Sequence, residues 1–240
     1  MRIGVFDSGI GGLFVLKELI NNYPNNTYYY FGDNINIPYG TKSKYELKIL
    51  SSKIIDFLIT KEVDIIIIAC GTISSNVYQE LKEKYNLPIY DIISPTIEYL
   101  NNSDYKTVGV LATEMTIKSN IFNKINKEIY QIPCPKLVPL IENNLDYQET
   151  LDEYLKKLPK VDTIVLGCTH YPFFEDYLNR LNYKTINMGK VLCEKLNLEN
   201  NKESKVRLYF SKINHDLVTN IDKIIKCDYQ LEELCLNYQK

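Results

Sequence analysis

The stretch VDIIIIACGT, residues 63–72, decides the fold. From Val63 to Ala69 it is apolar on both faces, as a central parallel strand enclosed between two helix layers must be. It ends on Cys70. A second run of the same kind, Val161 to Gly167, ends on Cys168 and continues Thr169-His170. Two central strands with the same kind of ending predict two similar α/β lobes.

Working outward, Ile3 to Phe6 reads as a strand and runs through Gly9, Gly11 and Gly12 into a helix. There Leu13, Leu16, Leu19 and Ile20 recur at a period near 3.6. Tyr28 to Phe31 is a second strand, Ser43 to Leu58 a second helix, Ser74 to Tyr85 a third, and Pro88 to Ile92 a shorter strand. The order then recurs. Thr107 to Leu111 is a strand, Ile117, Ile121, Ile125 and Ile129 form a helical stripe, and Asp152 to Leu158 and Phe173 to Leu181 are helical. Lys184 to Asn187 and Val206 to Ser211 read as later strands before a closing helix from His215 to Ile225. The expected architecture is two pseudo-symmetric open α/β domains with mainly parallel sheets and a site between them. The first spans residues 1–95 plus 205–240, and the second spans 96–204. Their boundary falls near Ser94 to Asp104, and Asn197 to Ser204 is the linker of the return.

The chain has 240 residues, with 28 Lys and Arg against 30 Asp and Glu. That balance carries no basic field for nucleic acid or an anionic membrane. Its longest apolar run, Ile65 to Cys70, falls far short of the ~20 residues that cross a bilayer. A cytoplasmic protein with free thiols is expected, because six Cys without close CxxC pairs suit neither a disulfide scaffold nor a zinc site.

In open parallel sheets ligands gather beyond the carboxyl ends of strands, where helix N-termini offer N–H groups. Cys70 and Cys168 stand there at matching positions, each in a place that suits a thiolate. His170 is two residues from Cys168. Asp7 ends the first strand, where parallel pairing brings it beside Cys70, and an Asp there is seldom buried without a partner. The glycines after Asp7 lack the third glycine of a dinucleotide loop, so they read as a tight turn presenting N–H groups, with Ser8, to a small anion. Pro38, Tyr39 and Gly40 make a second turn, read equally well as structure or as a substrate loop. Thr113 and Thr116 exceed what capping one helix needs.

Phe6-Asp-Ser-Gly-Ile-Gly-Gly12, the GDxxxxPYG pattern of Gly32 to Gly40, Thr113 to Asn120, Val138 to Glu142 and Gly167-Cys-Thr-His-Tyr-Pro172 together resemble the aspartate/glutamate racemase family. The likeness covers essentially the whole chain in family order. Within that family it is similar to the glutamate racemases, cofactor-independent enzymes that supply D-glutamate for peptidoglycan. The resemblance implies that Cys70 and Cys168 are the acid/base pair on opposite faces of the substrate Cα, Cys70 deprotonating D-glutamate and Cys168 L-glutamate. Asp7 assists the first thiol and His170 the second, with Glu142 on the His170 side. Ser8, Thr72 and Thr169 hold the amino group and α-carboxylate; Tyr39, Gly40, Thr113 and Thr116 hold the side-chain carboxylate. No cofactor or metal, a glutamate substrate and a homodimer complete what is implied.

Two positions depart from the pattern. Gly71 occupies a substrate-contacting position where the family usually carries Asn, and Met188-Gly189 replaces a Ser-Gly pair. On this reading Gly71→Asn is tolerated and changes KM more than kcat, because the contact serves ground and transition states alike. Gly71 also keeps a racemase of another acidic amino acid, such as aspartate, in play. A noncatalytic binding protein on the same fold is the alternative of a different class.

Overall fold

The computed structural model describes residues 1–199 and 204–236. The first part of the chain runs β1 (Arg2–Asp7), α1 (Gly12–Asn22), β2 (Thr27–Gly32), α2 (Lys44–Ile59), β3 (Ile65–Ile68), α3 (Gly71–Asn76), α4 (Tyr78–Lys84), β4 (Ile89–Asp91) and α5 (Ile93–Asn101). It continues β5 (Thr107–Ala112), α6 (Glu114–Lys118), β6 (Glu128–Pro133), α7 (Leu137–Glu142), α8 (Gln148–Leu155), β7 (Thr163–Leu166), α9 (Glu175–Arg180), β8 (Thr185–Asn187) and α10 (Met188–Lys195). The last elements are β9 (Lys205–Phe210), α11 (His215–Ile224) and β10 (Gln230–Glu233).

One sheet has the order β10-β9-β2-β1-β3-β4 and the other β6-β5-β7-β8, and every described pairing is parallel. Without β9 and β10 the first order is β2-β1-β3-β4, the same arrangement as the second. Each lobe therefore reverses its winding between its first and third strands, the place where an open sheet leaves a crevice beyond the strand ends. The four isoleucines of β3 are all buried, since helices cover both faces of the sheet. β9 pairs with β2, so the chain returns to the first sheet after α10. Part of the expected linker, residues 200–203, lies outside the described residues.

The lobes pack through α1 against α10 and α10 against α5. Phe14 on α1 meets Phe173 edge to face at 4.9 Å between ring centroids. Among the described residues no helix is long and apolar enough to cross a membrane.

Three elements differ from expectation. Ser94 to Asp104, where the boundary between lobes was expected, is mostly α5. Pro95 falls in the first turn, where its missing N–H costs nothing, and Asp91 accepts the N–H groups of Ile93 and Ser94. The Ile117 to Ile129 stripe is not one helix. α6 stops at Lys118, Asn120 turns left-handed at φ 58°, and Ile129 sits in β6 opposite Val108. A neighbouring strand outweighs helical spacing there, and Asn tolerates the reversal. The helix expected from Ser74 to Tyr85 starts earlier, at Gly71, and breaks at Val77, so Cys70 is its N-cap.

Candidate active site

The two winding reversals face each other. Asp7 ends β1 and Cys70 follows β3; Thr113 follows β5 and Cys168 follows β7. Between them lies a small cavity lined by both thiols. Ser8, Tyr39, Gly40, Gly71 and Thr72 line it from the first lobe. Thr113, Thr169 and His170 line it from the second. Asp7, Glu142 and Thr116 do not line it; they stand behind the lining residues and hydrogen-bond to them.

Cys70 is 4 % exposed, its Sγ 4.0 Å from Ser8 Oγ. Burial raises its pKa well above the usual thiol range, and the nearby Asp7 charge adds to this; the N–H groups of Ile73 and Thr72 act the other way. Asp7 is fully buried, and its Oδ2 accepts the N–H groups of Gly9 and Gly12 at 3.1 and 3.0 Å. Its Oδ1 accepts the hydroxyl of Thr169 at 3.2 Å, from the opposite lobe. Burial lifts the Asp7 pKa against the attraction of His170.

On the other side Cys168 Sγ lies 3.7 Å from His170 Nδ1, and His170 Nε2 pairs with Glu142 Oε1. Burial works to lower the His170 pKa, but the bonds to Cys168 and Glu142, together with the pull of the Glu142 charge, hold it well above the usual range. The imidazole thus stands within reach of a sulfur. The same Glu142 oxygen accepts the N–H of Ile10 at 3.1 Å.

These contacts correct one expectation. The N–H groups of the Gly9 to Gly12 turn do not await a ligand; Asp7 and Glu142 occupy those of Gly9, Ile10 and Gly12. None of the glycines has positive φ. Their use is close approach, since a Cβ at Gly11 would stand 2.5 Å from His170 Nδ1.

At the other end, Thr72 and Thr113 share a hydrogen bond at 3.0 Å across the lobes, and Thr113 meets the hydroxyl of Thr116 at 2.9 Å and accepts its N–H at 3.2 Å. Thr116 thus orients Thr113. The loop before α2 reaches the cavity through a cis Ile37-Pro38 bond. Tyr39 is buried, and its hydroxyl donates to Asp33 at 2.6 Å, so this side chain anchors the loop while Gly40 packs onto Thr113.

Sequence reasoning offered Pro38 only as part of a turn, gave Glu114 and Val138 no site role, and missed Thr41, Cys134 and Pro135 in the cavity wall. Cys134 follows β6 as Cys70 follows β3, which is the signal that would have found it. Its Sγ is 3.3 Å from the Ile132 carbonyl, and burial pushes its pKa up to about 12, so it serves as wall. Gly71 brings a further correction. A Cβ there would stand 2.8 Å from the Gly167 carbonyl oxygen, so Gly71→Asn does not fit without a backbone shift. Among the described residues no group of three or more His, Cys, Asp and Glu is arranged to hold a metal.

The Asp/Glu/Hydantoin racemase family matches residues 15–196. Over 87 % of this chain and 87 % of the relative, the sequence is 38 % identical to a glutamate racemase of Fusobacterium nucleatum. It is 44 % identical to a glutamate racemase of Carboxydothermus hydrogenoformans, over 75 % of this chain and 72 % of the relative. A crystal structure of glutamate racemase from Francisella tularensis in complex with D-glutamate superposes with a TM-score of 0.84 at 32 % identity, covering 99 % of this chain and 98 % of that one.

Proposed function

The chain belongs to the Asp/Glu/Hydantoin racemase family, and from that premise we propose that it interconverts L- and D-glutamate by proton transfer at Cα between two thiols, without a cofactor. The observation that carries this reading is the pair Cys70 and Cys168 on one small cavity, with His170 against Cys168.

The Cα proton of an amino acid is very weakly acidic, so a site without an electron-sink cofactor must place base and acid closely and stabilise the developing charge. One sulfur takes the proton from one face while the other delivers its own to the opposite face. With L-glutamate Cys168 takes the proton and Cys70 donates its own; with D-glutamate the roles reverse. His170 at 3.7 Å exchanges a proton with Cys168, and Glu142 fixes the imidazole. Asp7 does the corresponding work beside Cys70. Ser8, Gly71, Thr72 and Thr169 hold the amino-acid head group. The side-chain carboxylate sits at the end built by Tyr39, Gly40 and Thr113, with Thr116 orienting Thr113. Among the described residues no Lys or Arg lines the cavity, so neutral hydroxyls and N–H groups carry the recognition.

We extend the proposal to a cytoplasmic homodimer that supplies D-glutamate for peptidoglycan. The deciding experiment is circular dichroism of pure L-glutamate incubated with the enzyme and no added cofactor, with L-aspartate in parallel. Decay of the glutamate signal to zero supports the reading. Decay of aspartate alone would move the assignment to the other acidic amino acid, and binding without decay would make the protein a noncatalytic one.

A further inference from the structure

The last turn of α7 carries Glu142, and the chain leaves it through a closed loop. The Leu145 N–H bonds back to the Leu140 carbonyl at 2.8 Å and the Asn144 N–H to the Ile141 carbonyl at 3.1 Å, with Asn144 left-handed at φ 52°. Asn is one of the few residues with a side chain that accepts this helix ending. Glu142 lies inside the loop, so a contact that holds Asn144 also holds the turn that aims the Glu142 carboxylate.

Asn144 is held from the other lobe. α11, which follows β9 of the first sheet, buries Leu217, Ile221 and Ile224, and with them Asn220 at 3 % exposed. Asn220 Nδ2 donates to Asn144 Oδ1 at 3.1 Å. The two ends of this bond are unequal. A buried amide on an apolar helix face is costly unless paired, whereas the exposed Asn144 oxygen can turn to water. An apolar side chain would suit this face of α11 better, so the amide serves the bond rather than the packing.

We propose that Asn220 is a positioning residue for the Cys168 side of the site: from the first lobe it latches the end of α7 and so holds Glu142 against His170. Its effect on rate rests on the two-thiol reading above; its effect on the imidazole does not. The Ile10 N–H grips the Glu142 carboxylate and Asn220 grips the backbone turn behind it, so two contacts from the first lobe bracket this residue. Releasing the second lets the turn move about the first, and the bond from His170 Nε2 to Glu142 loosens. The imidazole then serves the sulfur 3.7 Å from its other nitrogen less well, while no contact to substrate is lost.

The test uses two variants. Asn220→Leu removes the donor, keeps the size and suits the apolar face, so its thermal midpoint should equal or exceed that of wild type. Asn144→Gly removes the acceptor and keeps the left-handed turn. The chain has 2 His, and His215 is exposed, so a slowly exchanging imidazole N–H in proton NMR belongs to His170. In both variants that proton is expected to exchange with water about 10-fold faster. By circular dichroism, kcat should fall about 10-fold in both directions at nearly constant KM, for a shift smaller than the ~1 Å that costs about 10²-fold. In Glu142→Ala no carboxylate is left to aim, so adding Asn220→Leu should cost nothing further. Wild-type N–H exchange in both variants overturns the proposal, as does an additive loss of kcat in the Glu142→Ala background. So does the lack of a slow imidazole N–H in the wild type. If Asn220→Leu does not fold, Asn144→Gly is read by the same two measures. A wild type that does not racemise glutamate overturns the function reading, and N–H exchange alone then decides the latch.

Discussion

The hydroxyl of Thr169 donates to Asp7 Oδ1 across the cleft at 3.2 Å, tying the residue after Cys168 to the buried carboxyl that ends β1. With Asp7 fully buried, this bond is part of how its charge is tolerated.

Thr169→Val removes that donor and leaves Asp7 its two turn N–H groups. An unsatisfied buried acceptor typically costs about 1–3 kcal/mol, so urea denaturation should show a loss of that size, and Thr169→Ser should restore most of it. kcat/KM should fall equally for L- and D-glutamate, because the equilibrium constant between enantiomers is one. A fully stable Thr169→Val protein would remove the bond from the account.

The thiols should be separable by isotope exchange. Replacing either with Ser keeps the size but weakens the acid/base function, so racemisation should fall by several orders of magnitude in both directions. Cys70→Ser should still exchange the Cα proton of L-glutamate slowly without inversion, and Cys168→Ser that of D-glutamate, read by NMR in D2O. Near-wild-type racemisation by either variant would falsify the two-thiol mechanism.

The His170–Glu142 pair should leave a mark on stability against pH. Folding raises the His170 pKa above its unfolded value near ~6.5, so its stabilisation is fully present below that pH and is lost as pH rises through the folded-state pKa. Glu142→Gln removes the anion. The gap in denaturation midpoint between wild type and Glu142→Gln should be widest at about pH 6, where carboxylates are ionised and imidazoles protonate, and should close at alkaline pH. A gap independent of pH would mean that Glu142 supports the fold by packing and neutral hydrogen bonds alone.

Tyr39→Phe tests the loop that carries Gly40. The Tyr39 hydroxyl and both Asn36 contacts, each 2.9 Å, converge on the buried Asp33 carboxyl. Losing one of them loosens the loop at the end proposed for the side-chain carboxylate. KM for glutamate should rise more than kcat falls, in steady-state assays of both enantiomers. A pure kcat loss would place the loop in the chemical step instead.

By itself the sequence determined the two-lobed α/β plan and the places of Cys70, Cys168, His170 and Asp7 in it. Those features are local: a run apolar on both faces must be a covered strand, and strand ends are where such sheets bind. Helix and strand were misjudged where a neighbour decided, as at Ile129, whose spacing suits a helix until β5 offers it a partner strand. What only the tertiary structure decided lies between residues far apart in the chain. The Gly9 to Gly12 turn announces free N–H groups in sequence, but α7, more than a hundred residues later, brings Glu142 to Ile10. Likewise Gly71 reads as a missing substrate-binding side chain until Gly167 is seen against it, because packing between two lobes depends on their docking and leaves no period in either segment.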